Sequence, residues 1–125
     1  FPWHKAITEL CHQAGKPVIL HSCGNYDSVI GDVIDDMKYD ARHSYEDNIT
    51  PVETAYKDLR GKIAVLGGLD VDFMVTRTPD EISARAKSLV EEGMKYGGYA
   101  LGTGNSVPEY IPDENYFAMI KAALY

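Results

Sequence analysis

The chain has 125 residues, with 12 Lys and Arg against 19 Asp and Glu for a formal charge of -7, and is 45% hydrophobic and 25% charged. Those values describe one ordinary globular domain and tell against nucleic acid as a partner, because phosphates are bound by clustered Lys and Arg that this acidic sequence lacks. No window approaches the roughly 18 to 20 unbroken apolar residues of a membrane span, and residues 1–5 do not read as a signal peptide.

Two cysteines, Cys11 and Cys23, give no disulfide framework, so a cytoplasmic location is expected. The sequence starts at Phe1 without Met and runs straight into helical pattern, and is expected to be a single domain cut from a longer chain.

Ile7, Leu10, Cys11 and Ala14 line one face of a first helix that Gly15 stops. Pro17 to Ser22 is an apolar, β-branched run that predicts a strand covered on both faces, leaving through Cys23-Gly24-Asn25. Asn25 or Asp27 can cap a second helix carrying Val29, Val33, Ile34 and Met37 on one stripe, and Tyr39 to Ser44 is a weaker strand. Thr50-Pro51-Val52-Glu53 has the capping-box pattern for a short helix to about Leu59.

Lys62 to Leu66 is a third strand that exits through Gly67-Gly68-Leu69-Asp70. Thr78-Pro79-Asp80-Glu81 repeats the capping box ahead of a helix with Ile82, Ala86, Leu89 and Val90 on its buried face, ending near Gly93 or Gly97. Tyr99 to Leu101 is a fourth strand that leaves through Gly102-Thr103-Gly104-Asn105, and a last helix carries Phe117, Ile120 and Leu124.

Strands that alternate with helices make a parallel α/β sheet, because parallel neighbours need crossover connections. A (β/α)8 barrel takes about 250 residues, so four βα units preceded by one helix predict half a TIM barrel. A small doubly wound open sheet is the alternative. Half a barrel exposes two sheet edges and half an interior, so self-association, or a longer chain, is expected.

In either architecture the ligand site forms at the carboxyl ends of the strands. His21 and Cys23, two apart on a strand, share a face and are plausible zinc ligands, one short of the three that a catalytic zinc takes. They equally fit a His and a Cys closing a buried strand end. His43, Ser44, Glu46 and Asp47 gather proton-transfer and metal-binding side chains at the second exit, where a solvated loop is the alternative. Asp70 can orient a ligand beside Gly68, or cap the stretch that follows. Gly102 to Asn105 offers backbone N–H groups to an anion, or forms a tight turn. No hydrolase elbow, dinucleotide fingerprint or phosphate-loop lysine is present. His4 and His12 are expected on the surface.

The series His21-Ser22-Cys23-Gly24, Gly67-Gly68-Leu69-Asp70 and Gly102-Thr103-Gly104-Asn105, with Pro108, Pro112 and Asn115 beyond, resembles the uroporphyrinogen decarboxylase superfamily over essentially the whole chain. The resemblance implies the last four βα units of a (β/α)8 barrel and the helix before them. The superfamily includes zinc-dependent methyltransferases that move methyl groups between corrinoid proteins and thiols such as coenzyme M.

His21 and Cys23 match the zinc-binding His-x-Cys of that branch. Thr103 stands where the methyltransferases have a third ligand, a cysteine, and where the decarboxylases have a histidine. Glu46 or Asp70 is a carboxylate able to take the missing place. The implied function is corrinoid-dependent methyl transfer to a zinc-bound thiol. His43, Glu46 and Asp70 would then be catalytic, and Ser22, Gly68, Gly102, Thr103, Gly104 and Asn105 would bind substrate. The runner-up is a metal-free lyase that decarboxylates a tetrapyrrole. A non-catalytic binding domain on the same scaffold is a third reading, and the fragment alone is expected to be inactive.

Overall fold

A computed structural model describes residues 1–124. All four strands form, each one to three residues shorter than its apolar run: β1 (Ile19–His21), β2 (Ala41–His43), β3 (Ala64–Leu66) and β4 (Tyr99–Ala100). They pair in parallel in the order β1-β2-β3-β4, with His21 opposite His43 and His43 opposite Leu66. A doubly wound sheet would reverse its strand order at a switch point. This sheet advances strand by strand without reversal, and the chain is α/β with the architecture of half a (β/α)8 barrel.

The helices are α1 (Pro2–Gln13), α2 (Val52–Leu59), α3 (Val71–Thr76), α4 (Pro79–Tyr96) and α5 (Asp113–Ala122). α4 is built as its sequence predicts. Thr78 accepts from the Glu81 N–H while Glu81 reaches back to Thr78, Ile82, Ala86 and Leu89 are buried, and Gly97 closes the helix at φ 75°. The Thr50–Glu53 box does not form. Pro51 is the N-cap of α2 without a side-chain cap, and the Glu53 carboxylate turns instead to Arg85.

Between β1 and β2 the expected helix is a series of turns ending in a π-helical turn, Asp32–Asp36, closed by the Met37 N–H on the Asp32 carbonyl at 2.7 Å. Its wider turn still buries Val33 and Met37, which pack with Tyr39 and Ile63 in a small cluster. The main core lies between sheet and helices, around Val52, Val65, Leu69, Met74, Ile82 and Leu89. α5 contributes Met119 and Ala122 to it, whereas Phe117, and Leu124 just beyond the helix, are exposed.

α1 covers little of the sheet. Only Thr8 of that helix is buried, its hydroxyl donating to the Met37 carbonyl, and Trp3, Ile7 and Leu10 are open to solvent. The accessible surface is 7496 Å², roughly 800 Å² above the ~6,700 Å² expected of a 13.9 kDa folded monomer.

Candidate functional site

The loops leaving the carboxyl ends of the strands are stitched to one another. The Tyr45 N–H donates to the Gly104 carbonyl at 2.9 Å, the Gly104 N–H to Leu69 at 2.6 Å, and the Leu69 N–H to Gly102 at 3.0 Å. Gly104 is the residue this closure requires, since a Cβ there would strike the Tyr45 carbonyl. Gly67, at φ 76°, likewise leaves room for the Thr103 carbonyl and the His43 ring.

His21 and His43 end neighbouring strands in register, and their Nδ1 atoms lie 2.7 Å apart. His43 Nε2 is 3.0 Å from the Thr103 carbonyl oxygen, which can only accept. His43 therefore carries its proton on Nε2 when neutral, and its Nδ1 accepts from His21. His21 is left with a free lone pair on Nε2, the atom a metal or a proton donor would take. Cys23, two residues on and exposed, accepts from Ser44 Oγ and Asn105 Nδ2, each at 3.2 Å. Ser44 reaches it from a left-handed backbone conformation, φ 90°, unusual outside glycine.

The remaining predicted residues separate by environment. Asp70 caps α3, accepting from Asp72 and Phe73 on Oδ1 and from the Asp47 N–H on Oδ2, so its carboxylate is fully engaged. Glu46 has no side-chain hydrogen bond or ion pair among the described residues and lines two cavities, of about 190 Å³ and about 780 Å³. Gly104 and Asn105 line the larger. Thr103 is buried, with its hydroxyl donating to the Asn105 carbonyl at 2.6 Å. Gly68 packs against Val52, Gly102 lies against Gly67, and the Ser22 carbonyl accepts from Arg42. The exposed His4 and His12 pair with Tyr39 and Asp40.

Two residues that sequence reasoning passed over organise this region. Arg85 grips Asp47 through Nη1 and Nη2 at 2.7 and 2.8 Å, and Glu53 through Nε and Nη2 at 2.6 and 2.9 Å, with Phe73 beneath the guanidinium. Partial burial pushes Glu53 upward, but the hydrogen bond from Arg85 and its charge leave the carboxyl below its ordinary range. Arg42 is buried mid-strand between Tyr26 and Tyr45. Its signal in the sequence was an arginine in the middle of a strand.

A metal site needs three protein donors with one position open. His21 and Cys23 are donors of the right chemical type, and among the described residues no group of three or more His, Cys, Asp and Glu is placed to hold an ion. No described helix is long and apolar enough to cross a membrane.

The family model described as Uroporphyrinogen decarboxylase (URO-D) matches residues 1–124. Among solved structures, a methyltransferase from Methanosarcina mazei is similar at 22% identity with a TM-score of 0.69, over 96% of this chain and 34% of its own. At that identity the likeness speaks for the fold, and the chain spans about a third of the protein it matches. Among curated proteins none matches.

Proposed function

Because the chain belongs to the uroporphyrinogen decarboxylase family, we propose that it is part of a methyltransferase-type enzyme that passes a methyl group from a corrinoid-carrying partner protein to a small thiol. The observation that carries this reading is the donor pair at the end of β1, His21 with an open Nε2 and Cys23 held by Ser44 and Asn105. His21 and Cys23 would hold zinc, the third ligand coming from outside the described donor set. Zinc, when bound, lowers the pKa of a thiol so that a thiolate can attack.

The chain's own residues then have separable tasks. His43 keeps the His21 proton on Nδ1, and Ser44 and Asn105 fix the Cys23 sulfur. Glu46 is the free carboxylate able to receive the proton that a thiol sheds. Asn105 and Gly104 line the larger cavity, as does Glu46.

Thr103 supports the second reading, a metal-free decarboxylase-like lyase acting on a tetrapyrrole. Its hydroxyl is buried and spent on a backbone carbonyl, and so supplies no ligand. The deciding experiment is zinc content after dialysis, with methyl transfer from methylcobalamin to coenzyme M, on this chain and on the native full-length polypeptide, each with its Cys23→Ala variant. Near-stoichiometric zinc that is lost with Cys23, together with collapsed transfer, is the expected result. A zinc-free full-length protein whose turnover ignores the substitution would overturn the reading, and decarboxylation that survives Cys23→Ala would establish the alternative.

A further inference from the structure

The smaller cavity has a chemistry of its own. Arg42 lies between Ala41 and His43 on β2, and alternation along the strand sends its side chain to the opposite face from theirs, away from the histidine pair. It is 5% exposed, and its guanidinium carbon stands 4.1 Å from the centre of the Tyr26 ring and 4.7 Å from that of Tyr45. Nη2 donates to the Ser22 and Gly24 carbonyls at 3.2 and 3.5 Å. Nε is buried without a partner, and no carboxylate forms an ion pair with this arginine among the described residues. The Tyr45 hydroxyl is buried beside it, also without a partner. Burial raises that phenol against the pull of the guanidinium, so it remains a donor.

A buried guanidinium with unspent N–H groups is costly unless an anion meets it, and here a cavity of about 190 Å³ adjoins it. Ile30 and Leu59 make part of the wall, and at the mouth stand the exposed Asp27 and Asp58 with the half-buried Glu46. A simple anion would have to pass three carboxylates, and a simple cation would meet Arg42 inside. A molecule carrying both charges satisfies both ends.

We propose that this cavity binds a small aliphatic amino acid as its zwitterion, with the carboxylate on the Arg42 guanidinium and the ammonium among Asp27, Glu46 and Asp58. The site shares Glu46 with the methyl-transfer reading, but the binding it predicts requires neither zinc nor turnover. Apolar walls with a few convergent polar groups are the usual makeup of a small-molecule site.

Isothermal titration of the chain with L-leucine, 4-methylpentanoate and 3-methylbutylamine separates the contributions of the two ends. Leucine is expected to bind, with each single-charge analogue at least about tenfold weaker. Arg42→Lys keeps a charge but loses the planar fork, and weakens leucine about tenfold or more. Asp58→Asn, on the exposed rim where folding is not at stake, weakens leucine by about threefold or more and leaves or improves binding of 4-methylpentanoate. The proposal is overturned if leucine fails to bind at about 10 mM, if either analogue binds as tightly as leucine, or if Asp58→Asn leaves leucine affinity unchanged.

Discussion

Replacing Arg85 by Met removes four N–H···O contacts of 2.6 to 2.9 Å while keeping an unbranched chain over Phe73. Breaking a buried ion pair costs about 3–5 kcal/mol and an exposed one about 0–1 kcal/mol. The Arg85 side chain is 15% exposed, Asp47 31% and Glu53 44%, which places this cluster between those limits, at about 2–3 kcal/mol. In a domain of this size that lowers Tm by roughly 6–12 °C.

The pH profile gives an independent check. Glu53 is depressed when folded, so its contribution is fully present above its ordinary pKa of 4.5 and is lost as pH falls through the lower folded value. Without Arg85, burial opposes the backbone hydrogen bond that remains, and the slope of stability below about pH 5 should flatten. Thermal and urea melts of wild type, Arg85→Met and Arg85→Lys at stepped pH would measure both effects, with Lys intermediate because it cannot fork between two carboxylates. A loss under about 0.5 kcal/mol, or an unchanged pH slope, would refute the reasoning.

Three further outcomes are expected. Gly67→Ala forces a side chain into a left-handed backbone and against the Thr103 carbonyl and the His43 ring, and should cost about 2–4 kcal/mol in urea melts. It should also shift the His43 imidazole resonances. Asn115→Ala strands the Met74 and Arg77 carbonyls that its buried amide serves at 2.8 and 3.0 Å, a loss of about 2–3 kcal/mol by the same assay. Light scattering after size exclusion should find dimers at about 100 μM, since the surplus surface matches one side of a standard interface; fluorescence of Trp3, the single tryptophan, should shift to the red on dilution. A monomer at that concentration would count against self-association through the α1 face.

The fold was legible where local chemistry and burial agree. Thr78, Glu81 and the apolar residues of α4 each serve one element, and that element forms as written. Thr50 and Glu53 carry the same pattern, but Arg85, 32 residues later, offers Glu53 a stronger partner than a backbone N–H, and no local reading sees that competitor. α3 was missed because six residues give too short a period, although its cap, Asp70, was read as one of two possibilities. The π-helical turn escaped because apolar spacing cannot tell one residue more per turn from an ordinary helix while Val33 and Met37 stay buried.

At the site, residue types and their places on strand exits were readable. Which donors stay free was not, because it depends on hydrogen bonds that cross between strands, such as Asp47 to Asp70 and His43 to Thr103.

The bonds from Tyr45 to Gly104, Gly104 to Leu69 and Asp47 to Asp70 have a kinematic consequence. Three loops that look independent along the chain have little freedom to swing separately, since each is hinged to another through its main chain. A substrate that pushes one will displace the others, so induced fit here would be a concerted tilt of the whole rim. For the same reason, grafting a new specificity onto this scaffold calls for exchanging the loops after β2, β3 and β4 as one cassette. A single transplanted loop would arrive without the carbonyls and amides that its neighbours expect.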